Sequence, residues 1–195
     1  MTNRWTNAVA IIAAACISVV FAQVTTGALS MPEGWIKAGS APQSYDMGTS
    51  REEGKRVLVV RSRSVAEDTG FGTIMQQFAA DEFKGKSVRF TAKVRSQGVG
   101  RTAGLWVRVD DVEHKVIAFD NMNDRAITGT TDWKNYQVVL PVKDTAATIS
   151  FGILLAGKGE VQMTDISVEP VSAATPSTEK QRPTNKKPSN LNLEK

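Results

Sequence analysis

The stretch "SVRFTAKVRS" at residues 87–96 alternates apolar and polar side chains without a break. In an extended strand, successive side chains point to opposite faces, so such a stretch presents one apolar face and one polar face. The apolar face consists of Val88, Phe90, Ala92 and Val94. A second stretch, "AGLWVRVD" at residues 103–110, repeats the pattern. Both stretches are therefore predicted to be strands with one face in a hydrophobic core.

Turn residues separate further alternating stretches every eight to twelve positions, and a helical period is confined to one turn near 79–83. Many short strands with glycine-bearing connections are typical of an antiparallel β-sandwich. The predicted strands are 56–62, 71–79, 87–96, 103–110, 116–121, 133–142, 148–156 and 161–171. We therefore predict an all-β fold, an antiparallel jelly-roll β-sandwich that forms a single domain over 31–171.

The first 22 residues have the pattern of a secretory signal: Arg4 in a short polar lead, then an apolar stretch to Ala22. Cleavage is expected after Ala22, or as late as residue 30. The alternative is an uncleaved membrane anchor, although about 15 apolar residues fall short of the roughly 20 that span a bilayer. Because the single cysteine, Cys16, lies in this stretch, the mature protein is expected to have no disulfide. The sequence thus predicts an exported protein, periplasmic or secreted.

The net charge of +4 is concentrated at the two ends of the chain. Residues 172–195 hold five basic and two acidic residues, with three prolines and no aromatic residue, and are predicted to form a disordered polar basic tail. Since Arg4 supplies the remaining charge, the predicted domain is neutral. We expect no nucleic-acid partner, and at most a weak contact of the tail with an anionic surface.

Few residues have the types and spacing that catalysis requires. His114 is the single histidine, and it lies in a charged connection. Asp110 and Asp111 are adjacent on a predicted strand, so their carboxylates point to opposite faces and do not converge on one substrate atom. We therefore predict no catalytic residues, no enzyme activity and no cofactor.

The polar face of 103–110 is the best candidate for a binding site, because it joins an aromatic ring to charged groups. The predicted ligand-binding residues are Trp106, Arg108, Asp110, Arg95, Lys93, Asn121 and Arg125. They form one patch if their strands share a sheet. The alternative is a structural face, on which Arg95 or Arg108 pairs with Asp110 and a loop covers Trp106.

The segment 118–133 is rich in Asp, Asn and Arg, which suit sugar hydroxyls or a calcium ion but equally make tight turns. We favour turn-making for Asn123 and Asp124 and leave Asn121 and Arg125 open. Trp133 begins a predicted strand and is expected in the sandwich core.

Several motifs together resemble a known group of domains: "GFGTIMQQFAADEFKGKSVRFTAKVRS", "GLWVRVD", "AFDNMNDRAITGTTDWKNYQVVLPV" and "ISFGILLAGKGEVQMTDISVEPV". They are similar to bacterial galactose-binding-like β-sandwiches of the carbohydrate-binding-module type. Such domains occur alone or appended to proteins labelled as transcriptional regulators. The resemblance implies a jelly roll with glycan-binding relatives and, in some members, a structural calcium. Here Gln162, Thr164 and a lone Asp165 stand where members usually carry an aromatic and paired acids, so calcium is not expected.

The sequence thus predicts an exported, non-catalytic β-sandwich that binds carbohydrate or a cell-envelope polymer. The alternative is a structural or protein-interaction module of the envelope that has no small-molecule ligand.

Overall fold

A computed structural model describes residues 29–52, 54–63 and 70–180. Nine strands and three single-turn 3-10 segments make up its regular structure. The strands are β1 (Ile36–Ala38), β2 (Tyr45–Glu52), β3 (Lys55–Ser62), β4 (Phe71–Ala79), β5 (Lys86–Asp111), β6 (Val116–Asp120), β7 (Ile127–Val142), β8 (Ala146–Ala156) and β9 (Glu160–Val171). All of their pairings are antiparallel, which confirms the predicted all-β jelly roll.

The long strand β5 belongs to two layers. Its first half, 87–97, pairs with β9, which continues to β3 and β2, and its other edge pairs with β7. Its second half, 102–111, pairs with β8, which continues to β4 and β1, and its other edge pairs with β6. We call the layer β1-β4-β8-β5-β6 the front sheet and the layer β2-β3-β9-β5-β7 the back sheet.

The hydrophobic core lies between the two sheets. Phe90 on the back sheet meets Phe151 on the front sheet edge to face, with ring centroids 5.0 Å apart. The inward residues predicted from alternation are buried throughout: Val88, Phe90, Ala92, Val94, Leu105, Val107 and Val109. Period-two alternation therefore identified the core face of both halves of β5 correctly.

The predicted strands all occur, with two differences of more than two residues at their limits. The stretches 87–96 and 103–110 join into one strand. Residues 96–103 between them pair irregularly with β7 and stay extended instead of forming a turn. Strand β7 begins at Ile127 rather than 133. Strands β1 and β2 were not predicted, since β1 has three residues and β2 is mostly polar.

The predicted disordered tail needs correction over its first part. Residues 172–180 follow β9 and return to β7, where Thr178 and Val139 exchange backbone and side-chain hydrogen bonds. The Thr178 N–H donates to the Val139 carbonyl at 2.9 Å, and the Val139 N–H donates to Thr178 Oγ1 at 2.8 Å. This segment thus provides hydrogen-bond partners for backbone groups at the free edge of β7. Amino-acid composition does not predict such a contact. Residues 181–195 lie outside the described residues.

The predicted signal segment 1–22 also lies outside the described residues. Among the residues that are described, no helical segment is long and apolar enough to cross a membrane.

Candidate functional site

A cleft of about 480 Å³ opens on the outer face of the front sheet. Its floor is apolar and comes from three adjacent strands, β4, β8 and β5. The floor residues are Phe71, Met75, Trp106, Leu154 and Ala156. Polar and aromatic side chains line its borders: Arg101, Arg108, Phe119, Asn121 and Asn123. An apolar floor with a few polar groups around it is the usual make-up of a small-molecule or oligosaccharide site.

Trp106 lies across the floor of this cleft and is not an exposed platform. The residue is only 8% exposed to solvent, and its indole N–H donates to Thr73 Oγ1 at 2.8 Å. Thr73 is on β4, two strand spacings or about 9.5 Å from β5, so the indole must extend over β8. The sequence left the exposure of Trp106 open, and the structure places this predicted site residue in the floor of the cleft.

Gly152 makes room for this arrangement. Gly152 is on β8, where it is the cross-strand partner of Trp106 on β5 and of Met75 on β4. A Cβ atom at Gly152 would come within 2.2 Å of the Ile74 carbonyl oxygen, which is much closer than van der Waals contact. Only glycine fits here, and the indole uses the space above it.

Arg108 and Asp110 form an ion pair at one border of the cleft. Arg108 Nε donates to Asp110 Oδ2 at 2.9 Å. The Arg108 side chain is 42% exposed, whereas that of Asp110 is 3% exposed. Asp110 Oδ1 is buried and has no hydrogen-bond partner among the described residues. Asp110 thus lies beneath Arg108 as its counter-ion, and Arg108 is the group that a ligand can touch. The pairing that the structural alternative proposed is present, within one strand.

Phe119 is the aromatic side chain that faces solvent at the cleft. It is 41% exposed and is the cross-strand partner of Arg108. Phe119 is not among the predicted ligand-binding residues. Its pairing with Arg108 could have identified it. The sequence does not determine that pairing, because it depends on the conformation of the connection 112–115.

Asn121 lines the cleft, whereas Arg125 forms ion pairs with Asp120 and Asp124. Arg125 Nη2 donates to Asp120 Oδ2 at 2.7 Å, and Arg125 Nη1 donates to Asp124 at 2.9 Å. Burial lowers the pKa of Arg125, but hydrogen bonds and the charge of Asp120 outweigh it and raise that pKa overall. A hydrogen bond from Lys180 holds the pKa of Asp124 below its usual value despite some opposing desolvation.

The side chains that bond to the backbone of this turn are those of Asp120 and Asn121, whereas we expected those of Asn123 and Asp124. Asp120 Oδ1 accepts the Met122 N–H at 2.8 Å, and Asn121 Oδ1 accepts the Asn123 N–H at 3.3 Å. Asn123 lines the cleft instead, and Asp124 pairs with cations.

Lys93 and Arg95 lie on the opposite side of the molecule from the cleft. Both project from the first half of β5, which belongs to the back sheet, while Trp106 projects from the second half in the front sheet. Arg95 pairs with Glu52 and lies over the Trp133 ring, 5.0 Å from its centroid. Lys93 pairs with Asp165 at 3.2 Å. The predicted single patch is therefore wrong, because outward residues of one strand face opposite ways once the strand crosses from one layer to the other.

Trp133 also departs from the prediction. It is half-buried beneath Arg95 on the outer face of the back sheet, and it is not part of the core. His114, by contrast, is exposed in the turn after β5, as its charged surroundings predicted.

The described residues do not bring three or more His, Cys, Asp or Glu side chains together in a way that could hold a metal ion. In β9, Asp165 is paired with Lys93 and Thr164 Oγ1 donates to the Arg56 carbonyl. This region therefore does not fit the calcium that the family resemblance raised.

Comparison with known proteins gives one curated relative and many solved structures, and no family model matches. The relative is an uncharacterized HTH-type transcriptional regulator, YbfP, of Bacillus subtilis, 42% identical over 154 residues. The match covers 77% of this chain, which spans about half the length of that relative, 52%. This confirms the resemblance to proteins labelled as regulators.

Two solved structures show the fold. The xylan-binding CBM22-1 domain of Paenibacillus barcinonensis Xyn10C has a TM-score of 0.51 and 15% identity, over 75% of this chain and 92% of that domain. The enzymatically active domain of tailspike protein 4 from bacteriophage CBA120 has a TM-score of 0.53 and 12% identity, over 71% of this chain and 20% of its own. The chain thus has the β-sandwich fold of carbohydrate-binding modules.

Proposed function

We propose that this chain is an exported, non-catalytic module that binds a carbohydrate chain in the cleft of the front sheet. The observation that carries the proposal is that an exposed aromatic, Phe119, lies beside Arg108 at the border of an open cleft with an apolar floor. Sugar rings offer apolar faces for aromatic contact and hydroxyl edges for hydrogen bonds. Asn121 and Asn123 line the same cleft and supply amide groups for those edges.

The fold supports this proposal, since a neighbour of 0.51 TM-score is described as a xylan-binding domain. The composition of the cleft supports a binding role rather than hydrolysis. Glycosidic hydrolysis uses two carboxyl groups that flank the bond, and the described lining of the cleft contains no carboxylate side chain. Export is proposed from the signal-like sequence of residues 1–22.

The test is calorimetric titration of the full chain with a panel of soluble oligosaccharides, followed by Phe119→Ala. Loss of an aromatic contact of about 1.4 kcal/mol weakens binding about tenfold. The matched control is Trp133→Ala, which removes an aromatic side chain from the back sheet. We expect Phe119→Ala to weaken binding and Trp133→Ala to leave it unchanged. Binding that responds only to Trp133→Ala would move the site to the other face.

The alternative, an interaction module without a small ligand, is favoured by the exposed apolar residues Val112 and Val116 at the β5–β6 connection. Capture of a defined envelope protein by the full chain, lost on Val112→Asp and without any response to oligosaccharides, would support it.

A further inference from the structure

The described residues that line the cleft carry charge of one sign. Among the described residues that line it, the charged side chains are Arg101 and Arg108, and the other polar ones are threonine and asparagine. The carboxylate of Asp110 lies beneath Arg108 and is buried. On the described lining, a ligand near Arg108 therefore meets its guanidinium group together with neutral amides and hydroxyls.

The orientation of Arg108 is fixed by its ion pair. Its Nε–H is used by Asp110 Oδ2, and its two terminal amino groups donate to no acceptor among the described residues. A guanidinium carries five N–H donors in one plane, and a pair of them matches the two oxygens of a carboxylate. Asp110 thus holds the fork in place and leaves its outer side available to a ligand.

Phe119 lies next to this fork. Cross-strand partners have Cβ atoms about 4.5–5.5 Å apart, so the Phe119 ring and the Arg108 guanidinium are within the span of one sugar unit. A uronic acid is a sugar whose carboxylate is attached at the edge of the ring. When such a ring lies on Phe119, its carboxylate can reach Arg108.

We infer that the cleft selects a polysaccharide containing uronic acids, with a sugar ring on Phe119 and its carboxylate on Arg108. This inference rests on the proposed carbohydrate-binding function and names its ligand class. Asp110 is a positioning residue in this arrangement, since it acts through Arg108.

The experiment compares a galacturonic acid tetramer with its fully methyl-esterified form, each titrated into the full chain by calorimetry. Esterification removes the charge and keeps the ring and the linkage. We expect the acid to bind about tenfold more tightly, as for a charge-assisted bidentate contact, with an advantage that shrinks as salt is raised. A glucuronic acid oligomer in a third arm distinguishes the two uronates as sources.

The variants assign the effect to Arg108. Arg108→Gln is expected to abolish the preference for the acid, whereas Arg89→Gln, which removes a paired arginine from the back sheet, keeps it. Because Arg108→Gln leaves the buried Asp110 unpaired, the double variant Arg108→Gln/Asp110→Asn is measured as well. It preserves the net charge and is expected to lose the same preference.

Equal binding of acid and ester, or a preference that survives both variants, overturns the inference and leaves the proposed function intact. Binding of neutral oligosaccharides alone has the same consequence. Absence of binding to every oligosaccharide overturns both.

Discussion

The hydrogen bond that holds Trp106 in the cleft floor predicts a large effect from a small change, Thr73→Val. Thr73 is buried, and its Oγ1 accepts the Trp106 indole N–H at 2.8 Å while donating to the Ile153 carbonyl at 2.8 Å. Valine has nearly the same shape but no hydroxyl. The substitution leaves a buried indole N–H without a partner, which costs about 1–3 kcal/mol, and removes a second bond worth about 1 kcal/mol. We therefore expect a loss of about 2–4 kcal/mol.

The assay is urea unfolding of the full chain, followed by circular dichroism. With an m-value of about 2 kcal/mol/M, the midpoint should fall by roughly 1–2 M at unchanged m. Thr102→Val is the matched control, because Thr102 lines the same cleft and is only half-buried. A double-mutant cycle with Trp106→Phe, which removes the donor, should give a coupling energy of about 1–2 kcal/mol. A midpoint shift no larger than that of Thr102→Val, or zero coupling, would refute this account of the floor.

Two further predictions concern the β4–β8 pairing and the C-terminal segment. Gly152→Ala should destabilise the fold by more than about 3 kcal/mol in the same assay, because its Cβ would meet the Ile74 carbonyl at 2.2 Å, whereas Gly100→Ala, with its nearest atom at 3.9 Å, should change stability by less than about 1 kcal/mol. Lys180→Gln should raise the carboxyl pKa of Asp124 in an NMR titration, with Lys158→Gln as a control that leaves it unchanged. Since the folded-state pKa of Asp124 is lowered, its contribution to stability is present above the unfolded-state pKa and is lost as pH falls through the folded value.

The fold was predictable from the sequence because period-two alternation reports directly on burial. In β5 the apolar residues of both halves proved to be core residues, and the polar residues between them face away from the core or lie beneath surface side chains. Strand β2 escaped prediction for the same reason, since Tyr45 and Met47 are its main buried apolar residues and the rest of the strand is polar or glycine.

The site was only partly predictable, because alternation separates inside from outside but does not say which outside. The bulges of β5 between Val94 and Ala103 shift the inward positions from even to odd numbers as the strand passes between sheets. Lys93 and Trp106 are both outward, yet they belong to opposite surfaces. That relation depends on strand pairing over long sequence distances, which no local pattern encodes.

The second half of β5, which belongs to the front sheet, shows how one alternating strand can build a site from residues with different roles. At successive outward positions, Trp106 forms the floor, Arg108 borders the cleft, and Asp110 is a buried counter-ion. Their partners on β8 explain the differences, because Gly152 admits the indole while Ser150 lies opposite Arg108. The floor is therefore coupled to β4 and β8, whereas Arg108 and Phe119 are partly exposed at the border of the cleft. In the proposed site, residue 119 can therefore change at little cost in stability, whereas a change at 108 leaves the buried Asp110 unpaired and a change at 106 or 152 disturbs the fold.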